Sequence, residues 1–152
     1  MIGLGTAMKS AEEPYHRLVV LSDPTNNGGQ VVVVRITTDD GTWPDRDCLL
    51  QPTDWAELQH RSPVAYSTAK FGPAVTALEQ AIRRGVFRRI PSPPPDTLKR
   101  MISAGRTAKG MPPGAIRWLA DLSYPKRPRT GPAGVSIPNE SVRFERDAAL
   151  LG

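Results

Sequence analysis

The chain has one cysteine, Cys48, so no disulfide can form within it. Its two histidines, His16 and His60, cannot build a zinc site with that cysteine by themselves. Asp47 adjoins Cys48 and would raise rather than lower a thiol pKa. Cys48 is therefore expected as a small core residue and not a nucleophile. No metal site and no cofactor are expected. No apolar run approaches the roughly 18 residues of a membrane span. Met1 to Ser10 carries Lys9 as its only base and lacks the basic start and long apolar centre of a secretory signal. The chain is thus expected in the cytoplasm, with no membrane contact. Gly3 and Gly5 lack the preceding strand and third glycine of a nucleotide-binding loop, which excludes that function.

What is present is proline and an uneven charge. The 16 prolines are about twice the usual share, so part of the chain is expected to stay unpacked. Residues 1–72 hold 6 Lys/Arg and 9 Asp/Glu, a net of −3, and residues 73–152 hold 14 and 6, a net of +8. The two halves sum to the overall +5. A basic half can attract nucleic acid or an acidic protein, and it can equally be a solvated surface.

The most informative stretch is residues 16–38. Leu18 to Leu21 and Val31 to Val34, extended by Ile36, are runs of branched apolar residues that suit strands. Asp23 to Gly29 between them is turn-forming, with Pro24, Asn27, Gly28 and Gly29. The pattern predicts a β-hairpin. Both runs are continuous rather than alternating, which predicts cover on both faces. Arg17 at the start of the first strand and Thr37 and Thr38 at the end of the second are expected side by side.

Elsewhere the signals are shorter. Asp47 to Gln51 is a strand candidate, and Pro52 to Leu58 suggests a turn of helix capped by Thr53 or Asp54. Trp55 there is expected as a core plug rather than a base-stacking platform. Arg61 to Thr68 is the next strand, with Ser62, Val64 and Tyr66 on one face. Pro73 is expected in the first turn of a helix carrying Val75, Leu78, Ala81 and Ile82, with Gly85 as its stop. Val86 to Ile90 could form a last strand. Pro91 to Pro95 is a stiff linker, followed by a helix capped by Asp96 and ended near Gly105. Pro112 and Pro113 open a short helix with Ile116, Leu119 and Leu122. The resulting organisation is a loose leader (1–14), a core with one helix (15–90), a linker and helical extension (91–123) and a flexible basic tail (124–152). A terminal helix over Ser141 to Leu151 is a further candidate.

Three of these segments together resemble one family. Arg17-Leu-Val-Val-Leu-Ser22, an Asn-bearing turn, and Val31-Val-Val-Val-Arg-Ile-Thr-Thr38 resemble the core of the MazF/PemK toxins of bacterial toxin–antitoxin pairs. Ser62-Pro-Val64-Ala-Tyr66 is similar to that family's next strand. The match covers roughly residues 15–70, and the leader departs from the family's first strand. The resemblance implies an α+β, mostly β fold, a small SH3-like β-barrel with short peripheral and C-terminal helices. It implies a homodimer that cleaves single-stranded RNA without a metal and is held by a cognate antitoxin. It assigns the catalytic positions to Arg17 and Thr37.

Cleavage by the ribose 2′-OH needs proton transfer as well as charge stabilisation. Arg17 can hold phosphate oxygens, but threonine is a poor base. His16 is the candidate acid or base, although on a regular strand it faces away from Arg17. Asn27, Arg35, Thr38 and Ser62 are the expected RNA contacts. The alternative reading is a non-catalytic SH3-like barrel that binds RNA or protein.

Overall fold

The computed structural model describes residues 1–12 and 16–120. Along them run β1 (Ala7–Ser10), β2 (Arg17–Val20), β3 (Gln30–Ile36), β4 (Leu49–Leu50), β5 (Ser62–Ala74), α1 (Val75–Arg83), β6 (Phe87–Ile90), α2 (Pro95–Thr107) and α3 (Pro113–Ile116).

The hairpin forms as its apolar runs predict. β2 and β3 pair antiparallel, with Arg17 opposite Ile36, Leu18 opposite Arg35 and Val20 opposite Val33. Asp23 accepts hydrogen bonds from the Thr25 N–H and hydroxyl and so starts a 3₁₀ turn at Pro24–Asn26. Val19, Val20, Val31, Val32 and Val34 are all completely buried, so both faces are covered.

Around this hairpin the strands lie in the order β4-β5-β3-β2-β1-β6, each pairing antiparallel. The sheet curls strongly into a half barrel, and the protein is a mixed α+β one. β4 and β6 remain as edges. β5 shifts register against β3 between Gln30 and Val32 and again between Val33 and Arg35. Such bulges bend a strand and increase its twist.

Each face of the sheet has its own helix. Met8, Leu18, Val20, Val33 and Arg35 share one face by the strand period of two. α1 lays Val75, Leu78 and Ile82 on it, over Ile2, Met8, Val20, Val31 and Val33. The opposite face carries Ile36, Val64 and Tyr66. α2 covers it, and the Tyr66 hydroxyl donates to the Met101 carbonyl at 2.6 Å.

Several expectations need correction. The first residues are not a loose leader: Ile2, Leu4, Ala7 and Met8 are buried, and β1 is hydrogen-bonded between β2 and β6. Pro52–Leu58 forms turns instead of a helix. There the Asp54 carboxylate accepts from the Gln51 N–H at 2.7 Å, a local bond that competes with helix. β5 continues through Pro73 to Ala74, so the helix starts at Val75, whose N–H donates to the Gly29 carbonyl. α2 begins on Pro94 and Pro95, with Asp96 inside its first turn rather than at the cap. It ends at Thr107, close to the expected stop, but Gly105 itself lies inside the helix.

Gly105 is buried within α2, where an added Cβ would lie 3.1 Å from Tyr66 Cε1 and 3.2 Å from Met111 Cε. Its value is close approach. α2 therefore belongs to the core and is not an extension on a linker. α3 opens at Pro113 as expected but ends at Ile116 and buries Ala115 rather than Ile116; Leu119, beyond its end, is buried as well. Trp55 and Cys48 are both buried, and burial pushes the Cys48 thiol up. The Trp55 Nε1–H donates to the Pro91 carbonyl at 3.1 Å. Leu122, the basic tail and the terminal helix lie outside the described residues. Among the described residues no helix is long and apolar enough to cross a membrane.

Candidate functional site

A cleft of about 510 Å³ opens on the α1 face. Leu18, Val33, Leu78 and Phe87 give it an apolar floor. Its polar side chains are His16, Arg35, Thr68 and Lys70. Among the described residues no carboxylate lines it. Concave apolar sites with a few convergent polar groups are the usual form of a binding site.

Strand geometry brings these groups together. Leu18 stands opposite Arg35, so His16, two residues earlier, lies on the Arg35 face. Val33 stands opposite Lys70, which brings β5 to the other wall. His16 is anchored by its backbone: its N–H donates to Ser10 Oγ at 2.8 Å, and its carbonyl accepts from the Ser10 N–H at 2.9 Å. Burial lowers the His16 pKa from 6.5, and the positive charge of Arg35 lowers it further. Both causes favour the neutral imidazole. Arg35 Nε is buried without a hydrogen-bond partner among the described residues. Its guanidinium lies 5.4 Å from the centre of the Trp43 ring.

The coupling of His16 to Arg35 is measurable. In Arg35→Gln the His16 titration followed by NMR is expected to move up towards 6.5, because one of the two lowering causes is gone. His60 is the only other histidine, so the resonances are readily assigned. An unchanged His16 titration in the variant would show that the guanidinium does not act on the imidazole.

The loop carrying Trp43 is pinned from below. The Asp39 carboxylate accepts from Arg46 Nη1 at 2.8 Å, Arg61 Nε at 2.8 Å and the Gly41 N–H at 3.0 Å. The bond from Arg46, and then that from Gly41, hold Asp39 well below the usual carboxylate range. Gly41 has φ +83°, which only glycine adopts without strain here.

The expected catalytic pair is divided. Arg17 stands opposite Ile36, not Thr37, so the alternation sends Arg17 to the α2 face and Thr37 to the α1 face. Arg17 is half-buried there, with Lys9 opposite it on β1. Extending the register by one residue sets Thr37 alongside His16, and the Thr37 N–H donates to the Pro63 carbonyl. Of the expected RNA contacts, Arg35 alone lines the cleft. Ser62 is buried and donates its hydroxyl to the His60 carbonyl at 2.8 Å. Thr38 is exposed beyond β3. Asn27 sits at the far end of the hairpin, its amide donated to the Asp23 carbonyl. Thr68 and Lys70 were missed because the bulges set the face that β5 presents, and bulges leave no mark in an apolar pattern.

The fold and cleft thus define an α+β protein with an antiparallel half barrel and a basic, apolar-floored site. No family model matches the chain, and no curated protein matches it.

Proposed function

We propose that the cleft binds single-stranded RNA and cleaves it by attack of a ribose 2′-OH on the adjacent phosphorus, the activity the MazF/PemK resemblance implies. The observation that supports this most is that an imidazole, His16, and a guanidinium, Arg35, line one cleft that among the described residues holds no carboxylate, with the His16 pKa lowered by burial and by Arg35. His16 takes the 2′-OH proton as general base. Arg35 binds the non-bridging oxygens and stabilises the charge that grows on them. The Lys70 ammonium, on the opposite wall, can donate the proton that the leaving 5′-oxygen requires. The products are a 2′,3′-cyclic phosphate and a 5′-hydroxyl. The same resemblance supports a cytoplasmic homodimer restrained by an antitoxin. The separation of Arg17 from Thr37 favours the second reading, an RNA-binding module without catalysis.

The test is incubation of the full chain with long single-stranded RNA in EDTA. Cyclic-phosphate ends are expected from RNA and none from its 2′-O-methyl form. Arg35→Ala is expected to slow cleavage by about 10²- to 10³-fold, the usual effect of losing one charge-stabilising donor. A folded parent that binds RNA and leaves it intact would establish the binding module instead.

A further inference from the structure

Trp43 stands out among the three tryptophans. Trp55 is buried, with its N–H donated to the Pro91 carbonyl. Trp118 packs edge-on against Phe71, their ring centres 5.7 Å apart and their planes at 88°. Trp43 lies against a cleft-lining cation, the Arg35 guanidinium being 5.4 Å from its ring centre. It is half-buried, so part of the indole faces solvent. Its loop is also held in place. Asp39 ties Arg46 and Arg61 together, and Asp40 accepts from the Thr42 N–H at 2.9 Å and the Thr42 hydroxyl at 2.6 Å. An aromatic ring held still beside a phosphate-binding cation is the arrangement that single-stranded nucleic acid uses, with base on ring and phosphate on charge.

We infer that Trp43 is a stacking platform for a nucleobase flanking the phosphate held by Arg35, so that the cleft requires a base-bearing single strand rather than a bare polyanion. This rests on the nucleic-acid reading of the cleft. The base lies against the indole and its phosphate against the guanidinium. Every base has a π face, so the platform sets strand state and register without choosing a sequence. A duplex, with its bases stacked on each other, is excluded from it.

The experiment titrates the full chain with two short single strands of equal charge, followed by tryptophan fluorescence and by anisotropy of a labelled strand. One is a 2′-deoxy oligonucleotide, which lacks the attacking hydroxyl and so reports binding alone. The other is its abasic counterpart. The parent is expected to bind the base-bearing strand roughly tenfold more tightly than the abasic one, with quenching. Trp43→Ala is expected to lose roughly that tenfold for the base-bearing strand and nothing for the abasic strand, and Trp43→Phe to keep most of it. Equal weakening for both strands in Trp43→Ala would overturn the inference, because Trp43 would then only position Arg35. Unchanged binding in Trp43→Ala would overturn it as well. Should Trp43→Ala fail to fold, the ratio of the two affinities in the parent and in Trp43→Phe decides the question. A folded parent that binds neither strand would overturn the nucleic-acid reading of the cleft, and the stacking platform with it. Binding of both strands with equal affinity would overturn the platform alone.

Discussion

Replacing His16 by alanine is expected to lower RNA cleavage by about 10²- to 10⁴-fold, the range for losing a general base. The variant should still fold. The two bonds that anchor residue 16 involve its backbone N–H and carbonyl, which alanine keeps. The parent's rate should also report this residue through pH. In the folded protein burial and the Arg35 charge lower the His16 pKa from 6.5, which favours the free base. The rate is expected to fall as pH drops through that lowered pKa, placing the acidic limb below 6.5 rather than at it. Arg17→Ala provides the contrast. Arg17 stands on the α2 face, away from the cleft, so its loss should leave cleavage within a few-fold of the parent. The opposite pattern, with His16→Ala active and Arg17→Ala dead, would move the site to the other face of the sheet and reinstate the Arg17 assignment.

The second large effect concerns stability. Met8→Ala should destabilise the protein by about 2–5 kcal/mol, the cost of truncating a buried methionine and leaving a cavity. Met8 is completely buried in β1, opposite Leu18 on β2 and Arg89 on β6, and it packs in the cluster beneath α1. Total stabilities run about 5–15 kcal/mol, so the change is a large fraction of the whole. Chemical denaturation measures it as a lowered midpoint with an unchanged slope. Val86→Ala is the control. Val86 is 53% exposed, and its hydrogen bonds to Ala11 and Ala81 are made by its backbone, which alanine keeps, so its truncation should shift the midpoint little. Equal midpoints for Met8→Ala and the parent would mean that the first ten residues do not hold the sheet together.

The sequence carried the long, regular elements well. The two valine-rich runs announce the β2–β3 hairpin, because continuous branched apolar residues have few alternatives to a strand covered on both faces. The stripe of Val75, Leu78 and Ile82 announces α1 for the same reason, at helical spacing. β1 escaped because four residues, two of them Lys9 and Ser10, give too short a pattern to read. Gly105 reads as a stop in the sequence because a glycine late in a helix usually is one. Only the proximity of Tyr66, far earlier in the chain, gives it another use.

The site divides in the same way. Sequence alone determined which chemistry the hairpin could offer: an imidazole, two arginines and a threonine pair within one covered sheet. It also determined that His16 and Arg17 face opposite sides, since adjacent strand residues always do. Which of the two shares a face with Thr37 depends on register. A shift of one residue exchanges the faces of a whole strand, and nothing local in the sequence sets it. The tertiary structure decided it by pairing Arg17 with Ile36, which leaves His16 and Arg35 on the cleft side. The bulges of β5 and the curl of the sheet then bring Thr68 and Lys70 to the same opening. The physical reason is that residue types are local and registers are not: pairing is settled by the sum of contacts across six strands, not by any one of them.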